Sequence, residues 1–152
     1  MKNFNRYDDG NKVRQNQEDD IKLVKEYASK LGLTLIRFQT NDVLELYFDI
    51  CQYVDEKSMC YISKGWDDPG YRIGECVTID KDTLDFKEKF YKILNICSDN
   101  LIAVKVTLLK DNKVELNLQI GIYQDGFNEK VLHETLDALG DSLQRIRVLL
   151  GH

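Results

Sequence analysis

Hydrophobic residues along this chain follow two periods, one typical of strands and one typical of helices. In two neighbouring segments, 102–108 and 114–122, every second residue is apolar, which predicts a β-hairpin with one buried face. A stripe with steps of three or four residues follows and predicts a helix with Asn128 as its N-cap: Leu132, Leu136, Leu139, Leu143, Ile146 and Leu150. The last third of the chain is therefore predicted to have a structural role, and its pattern indicates no reactive site.

The preceding two thirds carry the same two patterns. A first helix is predicted to begin near Asp19 or Asp20 and to end at Gly32. A second is predicted to begin at Asp82, where Asp85 gives a pattern like a capping box. Alternating apolar residues predict four strands between these helices, at 33–38, 43–54, 59–63 and 71–79. Gly140, inside the last helix, predicts either a close helix-to-sheet contact or a break in that helix.

The predicted order is α-β-β-β-β-α-β-β-α, which indicates the α+β class. Because the strands come in hairpins, the fold expected is an antiparallel sheet of about six strands with helices packed on one face. Residues 1–17 are polar and contain few apolar side chains, so they are predicted to form a flexible N-terminal arm. Residues 18–152 are predicted to form a single α+β domain.

Composition narrows the class of partner. The chain has 152 residues, 31% charged and 43% hydrophobic, with a formal net charge of −5. Residues 1–17 hold four basic and two acidic residues, net +2, and the remainder holds 17 basic and 24 acidic residues, net −7. An acidic body repels phosphate backbones, so nucleic acid is not expected as a partner. No apolar run is long enough for a membrane span and no secretory signal is visible, so a cytoplasmic protein without a membrane partner is expected.

Cofactors and metals are not expected. Cys51, Cys60, Cys76 and Cys97 show no CxxC or CxH spacing and are predicted to be reduced thiols. Asp80, Asp82 and Asp85 resemble the start of a calcium loop, but Leu84 occupies the next ligand position, so helix capping is the preferred explanation. Glycines are spaced too irregularly for a phosphate cradle.

Catalytic residues are not expected either. His133 is the only histidine before the last residue, and its acidic neighbours at helical spacing favour a solvated charge pattern over a general base. An enzyme with an unrecognised carboxylate site, at Asp67 and Asp68 near Asp55 and Glu56, remains an alternative. Turn preference alone accounts for both acidic pairs.

The order of elements resembles the YbjN-type family, whose domains have a fold like that of type III secretion chaperones. Four segments carry the resemblance, and together they span most of residues 19–150: DIKLVKEYASKLGL, DFKEKFYKILNIC, LIAVKVTLLKDNKVELNLQIGIY and GFNEKVLHETLDALGDSLQRIRVLL. The resemblance implies a small cytosolic protein that binds other proteins as a regulator or chaperone-like module. It implies no catalytic residues.

Two surfaces are predicted to bind a partner protein. One is the loop that contains the only tryptophan, with Trp66, Asp67, Asp68 and Tyr71, although a loop tryptophan also often packs back over a sheet edge. The other is the uncovered sheet face, where Tyr47, Tyr53 and Lys105 are expected with Glu115 and Asn117. The function expected is a non-enzymatic, chaperone-like or regulatory protein-binding module, with a homodimer as one form of assembly. An immunity protein that neutralises a toxin by direct binding is the alternative.

Overall fold

The computed structural model of this chain describes residues 6–40, 43–54, 58–65 and 67–151, with side chains from residue 18 onward. Its helices are α1 (Arg6–Lys30), α2 (Cys51–Val54), α3 (Phe86–Asp99) and α4 (Glu129–Leu150). Its strands are β1 (Thr34–Gln39), β2 (Val43–Asp49), β3 (Met59–Gly65), β4 (Gly70–Asp80), β5 (Ala103–Leu108) and β6 (Lys113–Tyr123). The α+β class and the six-stranded antiparallel sheet are confirmed.

The sheet has the strand order β1-β2-β3-β4-β6-β5, and all neighbours are antiparallel. Its long central strands β4 and β6 pair in unbroken register from Gly70 opposite Tyr123 to Asp80 opposite Lys113. The helices pack against one face. Strand β2 shows the two sides, since Leu44, Leu46 and Phe48 are buried while the residues between them stay partly exposed.

Helix α4 joins the other helices, because it packs against α1, α2 and α3. As predicted, its N-cap is Asn128. The side-chain oxygen of Asn128 accepts a hydrogen bond from the backbone N–H of Val131 at 2.9 Å. It runs through Gly140 without a break. A Cβ added there would collide with the backbone carbonyl oxygen of Tyr53, so this glycine lets α2 approach α4 closely. The sequence had predicted either a close contact with the sheet or a break in the helix.

Three predicted boundaries were wrong. Helix α1 begins at Arg6 and not near Asp19, because its first part carries no apolar stripe that a periodic pattern could reveal. Whether segment 1–17 is flexible stays a prediction, and residues 1–5 lie outside the described part. The strand predicted over 43–54 ends at Asp49 and is followed by α2. Helix α3 begins at Phe86, and the side chain of Asp85 makes no capping hydrogen bond.

The ends of α1 and α3 form the same motif with different residues. After α1, the backbone N–H of Leu33 donates to the carbonyl of Ala28 and that of Gly32 donates to the carbonyl of Ser29. After α3, the backbone N–H of Ile102 donates to the carbonyl of Cys97 and that of Leu101 donates to the carbonyl of Ser98. Both are Schellman motifs, which need a left-handed residue after the helix. Gly32 has a φ of +74° and Leu101 has a φ of 56°. Glycine is unstrained there, whereas leucine is strained.

Leu101→Gly is therefore expected to raise the free energy of unfolding by about 0.5–1 kcal/mol, since relief of strain exceeds the extra entropy of glycine in the unfolded chain. Leu101 is 90% exposed, so little burial is lost. Urea unfolding measures the change as a higher midpoint at constant slope. The matched control, Gly32→Leu, should lower the midpoint. Equal or reduced stability of Leu101→Gly would show that the leucine is unstrained.

Candidate functional site

The predicted loop site divides into a buried and an exposed part, and Trp66 lies outside the described residues. Asp67 and Asp68 are exposed, and Asp68 lies at the rim of a groove of about 350 Å³. That groove lies between the start of β4 and the end of β6, and Arg72 and Tyr123 form part of its wall. The backbone N–H of Gln124 donates to the carbonyl of Pro69 at 2.8 Å and fastens the loop to the end of β6.

Tyr71 belongs to the core and not to a partner surface, which corrects the prediction. It is 1% exposed, and its ring stacks on Phe127 with 4.3 Å between centroids. Its hydroxyl donates to Asp20 Oδ1 at 2.9 Å. The physical reason is strand alternation: Tyr71 points to the same side of β4 as Ile73, which is fully buried. Burial, together with the hydrogen bond to Asp20, raises the pKa of Tyr71 well above its ordinary value.

Asp20 and Lys64 form a buried ion pair beside Tyr71. Lys64 Nζ lies 3.1 Å from Asp20 Oδ2, and the two side chains are 5% exposed or less. Gln124 approaches the other carboxylate oxygen of Asp20 at 3.5 Å. Buried charges are tolerated only where they are paired and hydrogen-bonded. This network therefore fixes α1 onto β3 and β4 and has a structural role.

Tyr53 lies in α2 and not on the sheet face, so that part of the prediction was wrong. The side chains of Tyr53 and His133 meet where α2 packs against α4. Tyr53 Oη lies 2.9 Å from His133 Nδ1. His133 Nε2 in turn lies 3.3 Å from Asp137 Oδ2. A neutral imidazole satisfies both neighbours if Tyr53 donates and Nε2–H faces the carboxylate. Burial, followed by the charge of Asp137, raises the pKa of Tyr53.

The sheet face opposite the helices, called the open face below, carries one ordered row of side chains. Arg37, Tyr47, Tyr61 and Gly74 are cross-strand neighbours on β1, β2, β3 and β4. The guanidinium of Arg37 lies 4.2 Å from the Tyr47 ring centroid, and the two tyrosine rings are 6.5 Å apart. We call Arg37, Tyr47 and Tyr61 the tyrosine row. Lys105, Glu115 and Asn117 share this face, as predicted.

Hydrogen bonds hold both tyrosines of the row in place. Tyr61 extends over Gly74, where a Cβ would collide with its ring, and donates to Asn117 Oδ1 at 2.6 Å. Tyr47 donates to Glu45 Oε2 at 2.8 Å. Burial raises the pKa of both phenols, and the hydrogen bond to Glu45 adds to the effect at Tyr47. Both side chains are thus neutral near pH 7 and only partly buried.

A second polar cluster lies where the end of α4 crosses β3 and β4. Glu75 accepts a hydrogen bond from Ser58 at 2.5 Å, and Arg147 lies 3.6 Å from Glu75 and 3.1 Å from the Ser58 hydroxyl. Burial raises the pKa of Glu75 despite these partners. Burial, with the nearby charge of Glu75, also raises the pKa of Cys60 to about 12. A thiol this weakly acidic is a poor nucleophile, which gives Cys60 a packing role.

The remaining candidate residues lie in separate places on the fold. All four cysteines are free, with Cys51 and Cys76 exposed. Asp82 accepts a hydrogen bond from Asn112 at 2.9 Å and so ties the loop before α3 to the β5–β6 turn. Within the described ranges, no three histidine, cysteine or acidic side chains come together as metal ligands do. A groove of about 470 Å³ between α3 and α4 is lined by apolar groups of Ile96, Val148 and Leu149.

Comparison with known proteins shows the fold and leaves the family open. The sequence matches no family model, and no curated protein matches it. Among solved structures, an uncharacterized protein from Methanothermobacter thermautotrophicus superposes with a TM-score of 0.68 over 86% of this chain and 95% of that chain. The two sequences are 9% identical. None of the helices in the described part is long and apolar enough to cross a membrane.

Proposed function

We propose that this chain is a non-enzymatic, cytoplasmic protein-binding module that holds its partner on the open face. The observation that carries the proposal is the tyrosine row, an arginine and two tyrosines aligned across three strands and held by their own hydrogen bonds. Helices cover the opposite face of the same sheet. A half-buried aromatic row on an uncovered sheet is suited to contact with another protein surface.

Tyrosine and arginine suit this role for physical reasons. Both are enriched at the centres of protein interfaces, where a few such residues carry most of the binding energy. A tyrosine whose orientation is already fixed loses little entropy on binding, so more of its contact energy appears as affinity. Tyr47 stacks on Arg37 and donates to Glu45, and both contacts favour the orientation that the ring already has.

The open face continues into the groove that Asp68 and Pro69 of the loop also line. Arg72, Gly121 and Tyr123 have the strand parity of the open face, and the same three residues line the groove beside the loop. A partner chain lying along the open face would reach this groove and Asp68 in its wall. This continuity supports the loop as a second contact for the same partner.

The resemblance to the YbjN-type family supports a chaperone-like or regulatory role within this proposal. A toxin-neutralising immunity protein is the alternative, and the acidic net charge of −5 favours it where the partner is a basic nuclease. The identity of the partner separates these roles: an unfolded or secreted client supports the chaperone-like role, and a toxin supports the immunity role.

Tyr47→Ala is expected to weaken partner binding by about tenfold or more, the usual effect of removing an interface anchor. The protein is tagged, partners are captured from native lysate, and the dissociation constant is then measured with the purified partner. The melting temperature should change little because Tyr47 is only partly buried.

Tyr91→Ala is the matched control, since Tyr91 is 66% exposed on α3 and away from the open face. Binding should survive that change. If Tyr47→Ala binds a purified partner as tightly as the wild type does, the open face is the wrong surface. Trp66→Ala, measured in the same series, separates the contribution of the loop from that of the tyrosine row.

A further inference from the structure

Strand β5 is an edge strand of the sheet, and its side chains are only partly covered. On the side of the sheet that the helices cover, β5 presents Val104, Val106 and Leu108. Val106 is 45% exposed and Leu108 is 72% exposed, whereas their neighbours on β6, Leu116 and Val114, are 0% and 2% exposed. Helix α3 contacts part of β5, but the apolar face of the sheet extends beyond the helix layer at Val106 and Leu108.

One further exposed apolar residue lies in a loop next to the β5–β6 turn. Leu84 is 78% exposed in the loop before α3, and that loop lies against the β5–β6 turn because Lys81 donates its backbone N–H to Asn112 at 2.9 Å. Apolar surface that is contiguous and uncovered usually marks an interface. The exposed apolar side chains of β5 therefore suit a covering surface that is itself apolar.

The two outer strands of the sheet differ in how they are protected against pairing. Strand β1 has an irregular register between Leu35 and Arg37. Such irregularities are one of the devices that keep edge strands from pairing with other chains. Strand β5 pairs with β6 in continuous register, without such a bulge. Each of the two strands carries one charged residue, Arg37 in β1 and Lys105 in β5, so the register is what distinguishes them.

We propose that β5 pairs antiparallel with β5 of a second copy of this chain, with the two-fold axis at Val106. In an antiparallel pair, opposite residues point to the same face. With the axis at Val106, Val104 faces Leu108 of the second copy, and Val106 faces its own counterpart. All three apolar residues of the helix side then meet apolar residues, and the two sheets become one.

Charge selects this register over its neighbours. An axis at Lys105 would set two lysines directly opposite each other, which is destabilising. An axis at Thr107 would leave Val104 without an opposite residue inside the strand. With the axis at Val106, each Lys105 faces Thr107 of the second copy on the other side of the sheet. The pairing goes beyond the proposed partner binding and uses a different part of the sheet from the tyrosine row.

The test uses the full chain in analytical ultracentrifugation, which measures the dimer dissociation constant. Thr107→Glu places an acid opposite Lys105 at two symmetric points and should tighten the dimer by about two- to thirtyfold. Thr107→Lys opposes like charges at the same points and should weaken it. Leu108→Lys should weaken it by roughly tenfold or more, because a charge then faces an apolar strand. Val148→Lys, at a residue 73% exposed on α4, is the matched control and should leave the constant unchanged.

Cross-linking tests the register separately. In a background with Cys51 and Cys76 replaced by serine, Val106→Cys should form a disulfide-linked dimer on mild oxidation, while Thr107→Cys should not. A wild-type chain that remains monomeric at high concentration would overturn the proposal. So would a dimer whose dissociation constant ignores the changes at Thr107 and Leu108. Neither result would test the proposed partner binding at the open face. That proposal is tested by partner binding of Tyr47→Ala, a substitution that leaves β5 unchanged.

Discussion

Lys64→Met is expected to lower the free energy of unfolding by about 3–5 kcal/mol, the usual result of removing one member of a buried ion pair. The substitution keeps a side chain of similar length but leaves the carboxylate of Asp20 buried without its cation. Tyr71 and Gln124 still lie at hydrogen-bonding distance from that carboxylate, but neither neutralises its charge. Chemical denaturation measures the loss as a lower midpoint at unchanged slope.

A double-mutant cycle separates the ion pair from simple packing. Asp20→Asn alone leaves the lysine buried without its counter-ion and should also destabilise, while the two changes together should cost much less than their sum. Lys30→Met is the matched control, because Lys30 pairs with Glu26 at 3.4 Å with both side chains 51% exposed. It should change stability by less than about 0.5 kcal/mol. Strictly additive losses at Asp20 and Lys64 would refute the coupling.

Gly140→Val is expected to lower the free energy of unfolding by about 3 kcal/mol, the upper end of the usual cost of overpacking. The added Cβ would collide with the backbone carbonyl oxygen of Tyr53, and a second approach, to the Tyr53 Cβ, would be 3.1 Å. Backbone in a packed helix cannot move aside cheaply. The slightly better helix propensity of valine offsets only a small part of this cost. Thermal unfolding gives the measurement.

Gly121→Val is the control for this substitution. Gly121 lies in β6, no heavy atom lies within 4 Å of the place that an added Cβ would take, and its φ is not positive. Valine favours strands, so this variant should be neutral or slightly more stable. If Gly140→Val were as stable as Gly121→Val, α2 would not approach α4 as closely as described.

Strand alternation predicted the architecture because the sheet buries one face and leaves the other open. Each strand therefore shows its sidedness in its own sequence, and the antiparallel order follows from the short connections. The same alternation also contained the correct placement of Tyr71. Its parity matches Ile73, whereas its position beside a proline and glycine loop suggested exposure.

Helix α2 and its consequences were not predicted, although one signal was present. Gln52 interrupts the apolar alternation after β2, and in the structure it donates to the Leu31 carbonyl at the end of α1 at 2.7 Å. Asp49 accepts the backbone N–H of Cys51 at 2.9 Å, a local bond that favours a turn over a continued strand. A four-residue helix is too short to show a helical period, so Tyr53 was placed on the wrong element.

The candidate site was predicted as a face but not as an arrangement. Tyr47 and its expected neighbours Glu115 and Asn117 share the open face because their parity agrees. The row itself depends on which residues of different strands lie opposite each other, and register between strands is a tertiary property. The ion pair of Asp20 with Lys64 was missed for the same reason, since neither charge reveals its partner along the chain.

The strand order has a consequence for how the chain folds. Strands β1 to β4 follow one another as a meander, so each pairs with a neighbour close in sequence. The ladder between β4 and β6 is different, because α3 and β5 lie between its two strands along the chain. Closing that larger loop costs entropy before any pairing compensates it, and such contacts slow folding. We therefore expect the β4–β6 ladder at the centre of the sheet to form after the local hairpins and to limit the folding rate.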